Sequence, residues 1–71
     1  MKYLLTFETV SMVLLFENLM KERKIPVKLS PVPRNYSSSC GTCAVLEVED
    51  IKELEEYVNK NHVYIEGIYE I

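Results

Sequence analysis

The sequence predicts an α+β fold, a ferredoxin-like βαββαβ sandwich in which two helices cover one face of a four-stranded antiparallel sheet. Apolar residues alternate in four short segments and recur with helical spacing in two longer ones, in the order strand, helix, strand, strand, helix, strand. Right-handed crossovers place both helices of such a chain on the same side of the sheet. The 71 residues make one domain, residues 1–71, with a functional loop at about residues 31–41.

The first strand is predicted over residues 2–7, where the larger apolar side chains alternate over a short stretch. A helix follows, capped at its start by Thr9 or Ser11. Cations near its end suit the helix dipole, and Pro26 prevents its continuation. One face of this helix gathers the apolar side chains that we expect to pack on the sheet: Met12, Leu15, Phe16, Leu19 and Met20.

The second and third strands are predicted over residues 27–32 and 42–48. Because Pro31 and Pro33 cannot donate ladder hydrogen bonds, the second strand should lie at a sheet edge or fade there. In the third strand, three apolar residues share the face that packs against a helix: Ala44, Leu46 and Val48.

The second helix begins with a capping-box pattern formed by Asp50 and Glu53, and Asn61 is its expected end. A last strand is predicted over residues 63–71, which alternate throughout. Within it, Gly67 marks either a bulge or a close backbone approach. The apolar stripe of the second helix contains Ile51, Leu54, Tyr57 and Val58.

The composition is that of a folded domain, with 48% hydrophobic and 27% charged residues. A net charge of −3 gives no general attraction to phosphate backbones, so we expect no nucleic-acid partner. The apolar residues at the start of the sequence are too few for a signal-peptide core or a membrane span. We therefore expect a cytoplasmic protein with no membrane partner.

The predicted loop contains the most informative residues of the chain. Residues 31–41 lack apolar periodicity, whereas hairpin connections usually take about 2 to 5 residues. Two prolines stiffen its entry, and its serines and Gly41 supply hydroxyl and N–H groups expected to converge on an anion or a thiolate. Cys40 and Cys43 are too close in sequence for an effective structural disulfide, which favours transfer, redox or metal chemistry.

The loop also carries a recognisable pattern, Pro-x-Pro-Arg-x-x-Ser-x-x-Cys-Gly. It consists of Pro31, Pro33, Arg34, Ser37, Cys40 and Gly41. This pattern, placed after an opening strand and helix, resembles that of the small selenium or sulfur carrier protein-like family. The resemblance implies a carrier rather than a stand-alone enzyme, with Cys40 as the chalcogen acceptor and with donor and acceptor proteins as partners. The sequence leaves open which of sulfur and selenium is carried.

The residues around Cys40 suit that role. Arg34 is the only cation between Lys28 and Lys52, and a neighbouring cation stabilises a thiolate. We therefore predict that Arg34 is the thiolate stabiliser, while the prolines, Ser37 and Gly41 shape the loop.

Cys43 has two interpretations. As a resolving thiol it would attack a persulfide on Cys40 and release hydrosulfide as a disulfide forms. Disulfide Cα atoms lie about 4.4 to 6.8 Å apart, whereas three extended residues span roughly 10 Å, so closure requires a turn. Because Cys43 opens a predicted strand, we favour a packing role.

Two other functions remain open. A non-catalytic interaction or regulatory module is the main alternative, because Val10 and Leu14 project away from the apolar helix face and suit a homodimer or a docking face. A Cys-x-x-Cys metal-binding chaperone is less favoured, since such proteins carry the pair between the first strand and first helix. His62, the only histidine, reads as a surface or cap residue, so we predict no metal and no cofactor.

Overall fold

A computed structural model describes residues 1–36 and 38–71 of the chain. Within them the predicted α+β class is confirmed: four strands form one antiparallel sheet in the order β2-β3-β1-β4, a ferredoxin-like arrangement with two helices. In this described part, neither helix combines the length and apolar character that crossing a membrane requires. The elements are β1 (Lys2–Thr6), α1 (Val10–Glu22), β2 (Val27–Pro31), β3 (Thr42–Glu47), α2 (Ile51–Lys60) and β4 (Gly67–Glu70).

The main core lies between the sheet and the helices. Alternate residues of β1 and β3 pack there against the buried stripes of α1 and α2. Phe7 and Phe16 meet with ring centroids 5.2 Å apart, which joins the end of β1 to the middle of α1. The buried residues of this cluster are Tyr3, Leu5, Phe7, Val13, Phe16, Met20, Ala44, Leu46, Leu54, Val58 and Val63.

The buried face of α1 is rotated from the predicted one. Val13, Phe16 and Met20 are fully buried, whereas Leu15, predicted to face the sheet, is 47% exposed. The spacing of 3 and 4 residues places the three buried side chains in one stripe, and Leu15 falls outside it. The prediction missed Val13 because five apolar residues in succession allow several stripes. Val10 and Leu14 are exposed, as predicted.

Both helices begin with the predicted type of cap. The Thr9 and Asp50 side chains accept hydrogen bonds from the N–H groups of Met12 and Glu53, at 3.2 and 3.1 Å. The capping box is only half made, because the Glu53 carboxylate binds Arg23 instead.

The last predicted strand is too long: β4 covers only Gly67–Glu70. Asn61 ends α2 as predicted, and exposed His62 follows in the left-handed region at φ 64°. The chain then returns to the helix, since the Val63 N–H donates to the Val58 carbonyl at 2.9 Å. Val63 is thereby buried in the core without pairing in the sheet. The alternation of apolar residues therefore continues through residues 63–66, which lie outside the strand although the Glu66 N–H donates to the Thr6 carbonyl at 2.7 Å.

The ends of the two helices are joined by one arginine. The Arg23 guanidinium donates to both carboxylate oxygens of Glu53, at 3.0 and 2.7 Å, and its Cζ lies 4.6 Å from the Tyr57 ring centroid. These hydrogen bonds hold the pKa of Glu53 below its ordinary value, against opposing desolvation and with help from the charge of Arg23. The same hydrogen bonds raise the pKa of Arg23.

Candidate functional site

The loop between β2 and β3 folds over one end of the sheet. The hydrogen-bond ladder between β2 and β3 continues one step past the strands, where the Val32 N–H donates to the Gly41 carbonyl at 3.0 Å. A turn follows, in which the Tyr36 N–H donates to the Pro33 carbonyl. The Tyr36 ring packs against Tyr69 of β4, with centroids 4.7 Å apart. Because β1 lies between β3 and β4, the loop crosses β1 to make this contact.

Cys40 lies at the root of this loop, half-buried against the helix-side core. Its Sγ donates a hydrogen bond to the Thr42 carbonyl at 3.2 Å, a contact that requires the protonated thiol. The Ser38 hydroxyl lies 3.8 Å from the same Sγ and donates to the Phe7 carbonyl at 3.3 Å. The thiol is therefore held at the end of β1 by short polar contacts, and part of its surface reaches solvent.

Cys43 has a different environment. It is fully buried within β3, where it pairs with Thr6 of β1 and Ser30 of β2. Its Sγ lies 3.3 Å from the Ser30 hydroxyl and donates to the Pro31 carbonyl at 3.8 Å. Cys43 is thus a residue of the sheet, with its thiol in contact with the edge strand.

The two thiols lie on opposite sides of β3. Cys40 packs against the helix-side cluster, whereas Cys43 alternates with helix-facing Ala44 and lies with Ser30 on the other face. Both cysteines are free. The turn between them comes from Gly41 at φ 76°, and Thr42 is already in the strand. A disulfide would require the start of β3 to leave the sheet.

Among the described residues, the hydrogen bonds of the Cys40 sulfur involve Ser38 and Thr42 and none of the predicted site residues. Arg34 is exposed, and within residues 1–36 and 38–71 it forms no ion pair. The Ser39 N–H, expected to point to an anion or thiolate, instead donates to Glu66 at 3.2 Å. Pro31 ends edge strand β2, as its missing N–H requires, and Pro33 is exposed at the turn. Ser37 lies outside the described residues.

A polar pocket of about 480 Å³ lies beside Cys40, and the sequence did not predict it. Ser38 lines the pocket, so one side chain separates it from the Cys40 thiol. Gly67 was the available signal: a Cβ there would lie 2.8 Å from Thr6 Oγ1, which confirms the predicted close approach. The pocket is lined by Thr6, Ser38, Ser39, Glu66 and Tyr69.

Metal binding has little support from the geometry. Across residues 1–36 and 38–71, histidine, cysteine and carboxylate side chains form no cluster of three or more that could hold an ion. The two thiols also face different sides of the sheet, so they cannot chelate one ion without rearrangement.

Comparison with known protein families gives an independent result. Residues 2–70 match the model of the family described as "Putative Se/S carrier protein-like". The chain belongs to this family, as the loop pattern predicted. No curated protein and no solved structure matches the chain significantly.

Proposed function

We propose that this protein is a sulfur or selenium carrier that acts in the cytoplasm, holds its cargo on Cys40 and passes it to an acceptor protein. The observation that carries the proposal is the position of Cys40 in a chain that belongs to a carrier-like family. Its thiol is free, partly exposed and presented by a loop, whereas the other thiol is buried in the sheet.

Loading requires a transfer in which atoms and charges balance. The Cys40 thiolate attacks the terminal sulfur of a donor persulfide. The Cys40 sulfur–sulfur bond forms as the donor sulfur–sulfur bond breaks, and the donor leaves as a thiolate. Delivery repeats the exchange, with an acceptor thiolate attacking the outer sulfur and Cys40 leaving. A selenium donor would be handled by the same exchange, with selenium in the transferred position.

The resting contact of Cys40 with Thr42 must break during loading. A thiolate cannot donate to the Thr42 carbonyl, which lies 3.2 Å from Sγ. The Ser38 hydroxyl, 3.8 Å away, can donate to a thiolate once its single hydrogen turns away from the Phe7 carbonyl. We assign Arg34 to the same state: it is the loop cation, and approach of its guanidinium would favour the charged sulfur. Gly41 supplies the left-handed turn that directs Cys40 away from Cys43.

The decisive experiment is a loading assay read by intact mass. The protein is incubated with a cysteine desulfurase and cysteine, or with a selenium donor, and the mass is expected to rise by one sulfur or one selenium atom. Cys40→Ser is expected to remove this increase completely. The matched control is Cys43→Ala, which removes the other thiol and is expected to load as the wild type does.

Two outcomes would overturn the proposal. One is a wild-type mass that stays unchanged under conditions that load a known carrier. The other is a folded Cys40→Ser variant, verified by circular dichroism, that still takes up the cargo. Either outcome would favour the interaction module, whose candidate surface is the exposed apolar side of α1 formed by Val10, Leu14 and Leu15.

A further inference from the structure

We propose that the pocket beside Cys40 binds a small primary ammonium compound. The pocket is defined by Thr6, Ser38, Ser39, Glu66 and Tyr69 and measures about 480 Å³, within the usual range of small-molecule sites. The described residues leave it with one unpartnered hydroxyl at its base and one carboxylate without a cationic partner at its rim.

The unpartnered hydroxyl belongs to Thr6. Its residue is 0% exposed, yet Oγ1 has no hydrogen-bond partner among the described residues. Buried hydroxyls are almost always hydrogen-bonded, because an unpaired one destabilises the fold. Thr6 lines the pocket but its Oγ1 is itself covered, so a bound group completes its hydrogen bonding only when the adjoining wall moves to uncover the hydroxyl.

The carboxylate belongs to Glu66. The backbone N–H and the hydroxyl of Ser39 donate to its two oxygens, at 3.2 and 2.7 Å. These bonds fix the carboxylate on the loop but leave each oxygen with a further acceptor position. No described cation pairs with it, because the ion pair of the described residues is that of Arg23 with Glu53. Glu66 is exposed, so water solvates its carboxylate in the free protein, and a ligand with positive charge and several hydrogens to donate would replace that water.

Gly67 lies against two of the side chains that line the pocket. Its φ lies outside the left-handed region, so the backbone does not require glycine. A Cβ would instead lie 2.8 Å from Thr6 Oγ1 and 3.0 to 3.1 Å from the ring and hydroxyl of Tyr69. Glycine therefore lets Thr6 and Tyr69 approach each other at the base of the pocket.

Ser38 connects the pocket to the thiol, since it lines the pocket and lies 3.8 Å from Cys40 Sγ. An aminothiol bound through its ammonium group to Glu66 would have its sulfur within reach of this wall. A small aminothiol is thus the favoured ligand class, and only this link to the cargo rests on the proposed function.

Three probes of similar size and different charge test the pocket. Cysteamine is cationic, 2-mercaptoethanol is neutral and mercaptoacetate is anionic; each is titrated in phosphine reductant, and the backbone amide shifts of Ser39 and Gly67 are followed by NMR. Cysteamine is expected to bind saturably and about tenfold more tightly than 2-mercaptoethanol, because one ligand hydrogen bond becomes charge-assisted. Mercaptoacetate is expected not to bind. Equal binding of all three probes, or no saturable shift with cysteamine, would overturn the inference.

Two variants distinguish the contribution of the Glu66 charge to ligand binding from that of the Thr6 hydroxyl. Glu66→Gln is expected to abolish the preference for cysteamine, while Glu70→Gln, which changes an exposed glutamate at the end of β4, leaves it unchanged. Thr6→Val is expected to weaken cysteamine binding several-fold yet raise the melting temperature of the free protein, because it removes an unpartnered buried hydroxyl. A lower melting temperature with unchanged binding would show that Thr6 has only a structural role and contradict its part in the pocket.

The two proposals can fail separately. Cys40→Ser is expected to lose loading but keep cysteamine binding, because its sulfur is not part of the pocket wall. Loading without cysteamine binding in the wild type would reject the pocket and leave the carrier proposal standing. Cysteamine binding by a wild-type protein that takes up no sulfur or selenium would reject the carrier proposal and leave the pocket proposal standing.

Discussion

The two ends of this molecule use polar side chains in opposite ways. At one end, which we call the capped end, Arg23 joins α1 to α2 by binding Glu53 and lying over the Tyr57 ring. At the other, the loop end formed by residues 32–41 with Thr6 and Glu66, a buried hydroxyl lacks a described partner and a carboxylate lacks a described cation. Both ends are rich in hydrogen bonds, so their number alone does not distinguish them.

This difference in how polar groups are satisfied distinguishes the end that supports the fold from the end that is available for function. The polar groups described at the capped end satisfy one another and link the two helices. The unsatisfied Thr6 hydroxyl at the loop end lowers stability, and proteins retain such groups where a ligand or a reaction uses them. The family assignment and the half-buried Cys40 point to the same end.

The largest expected effect is the difference in reactivity between Cys40, in the loop end, and Cys43, in the adjoining strand β3. Cys40 is expected to react with iodoacetamide at least about a hundredfold faster than Cys43, because buried Cys43 must wait for local opening of the sheet. Peptide mapping by mass spectrometry after timed alkylation measures both rates. In denaturant the two rates should converge, and similar rates in the native protein would contradict the described burial.

A substitution at the base of the pocket should have the next largest effect. Gly67→Ala is expected to destabilise the protein by roughly 1 to 3 kcal/mol, because its Cβ overlaps Thr6 and Tyr69. Urea unfolding measures the change. The matched control is Gly41→Ala, where nothing lies within 4 Å and only the φ of 76° opposes a side chain, at a cost of about 1 kcal/mol. A larger loss of unfolding free energy in Gly41→Ala than in Gly67→Ala would contradict the steric overlap described at Gly67.

A smaller effect is expected from the loop cation. In the proposed role of Arg34, Arg34→Ala should slow alkylation of Cys40 a few-fold at neutral pH, because a guanidinium brought to the sulfur favours the thiolate. Lys28→Ala, which removes another exposed cation from the preceding strand, serves as the control. An unchanged rate in a folded Arg34→Ala protein would remove Arg34 from the mechanism.

The smallest expected effect is at the capped end. Because the pKa of Glu53 is lowered in the folded state, its pairing stabilises the protein above the ordinary glutamate pKa of about 4.3 and is lost as the pH falls below it. Glu53→Gln should therefore lower the melting temperature slightly at neutral pH, and the difference from the wild type should vanish as the pH falls through the lowered pKa of Glu53. Glu56→Gln, on the same helix, should keep the wild-type acid dependence. If the melting temperatures of Glu53→Gln and the wild type differed by the same amount at every pH, the pairing of Glu53 with Arg23 would be contradicted.

The order of elements was predictable because each element has a strong local signal. Strand alternation, the caps at Thr9 and Asp50, and Pro26 all act over a few residues, and the structure has them where the sequence placed them. The errors arose where tertiary contacts determine which side chains are buried and where a strand begins. Leu15 and Val13 compete for one helix face, and residues 63–66 alternate but lie outside β4.

The candidate site was only partly predictable for the same reason. The loop pattern identified Cys40 as the residue of interest, because its spacing is local. The pocket depends on residues distant in sequence, since Glu66 meets Ser39 across 27 positions and Ser38 meets Phe7 across 31. Only Gly67 hinted at it, through the absence of a side chain.

The separation of the two thiols by β3 has a consequence for cargo retention. In the proposed carrier, a nearby second thiol would attack the loaded Cys40 and expel the sulfur as hydrosulfide. Cys43 faces the opposite side of the sheet, so this internal route is closed while β3 remains paired. In that carrier, the lifetime of the loaded state is set by encounters with thiols of other molecules. The paired sheet keeps the cargo on Cys40 for the acceptor because it keeps Cys43 away from it.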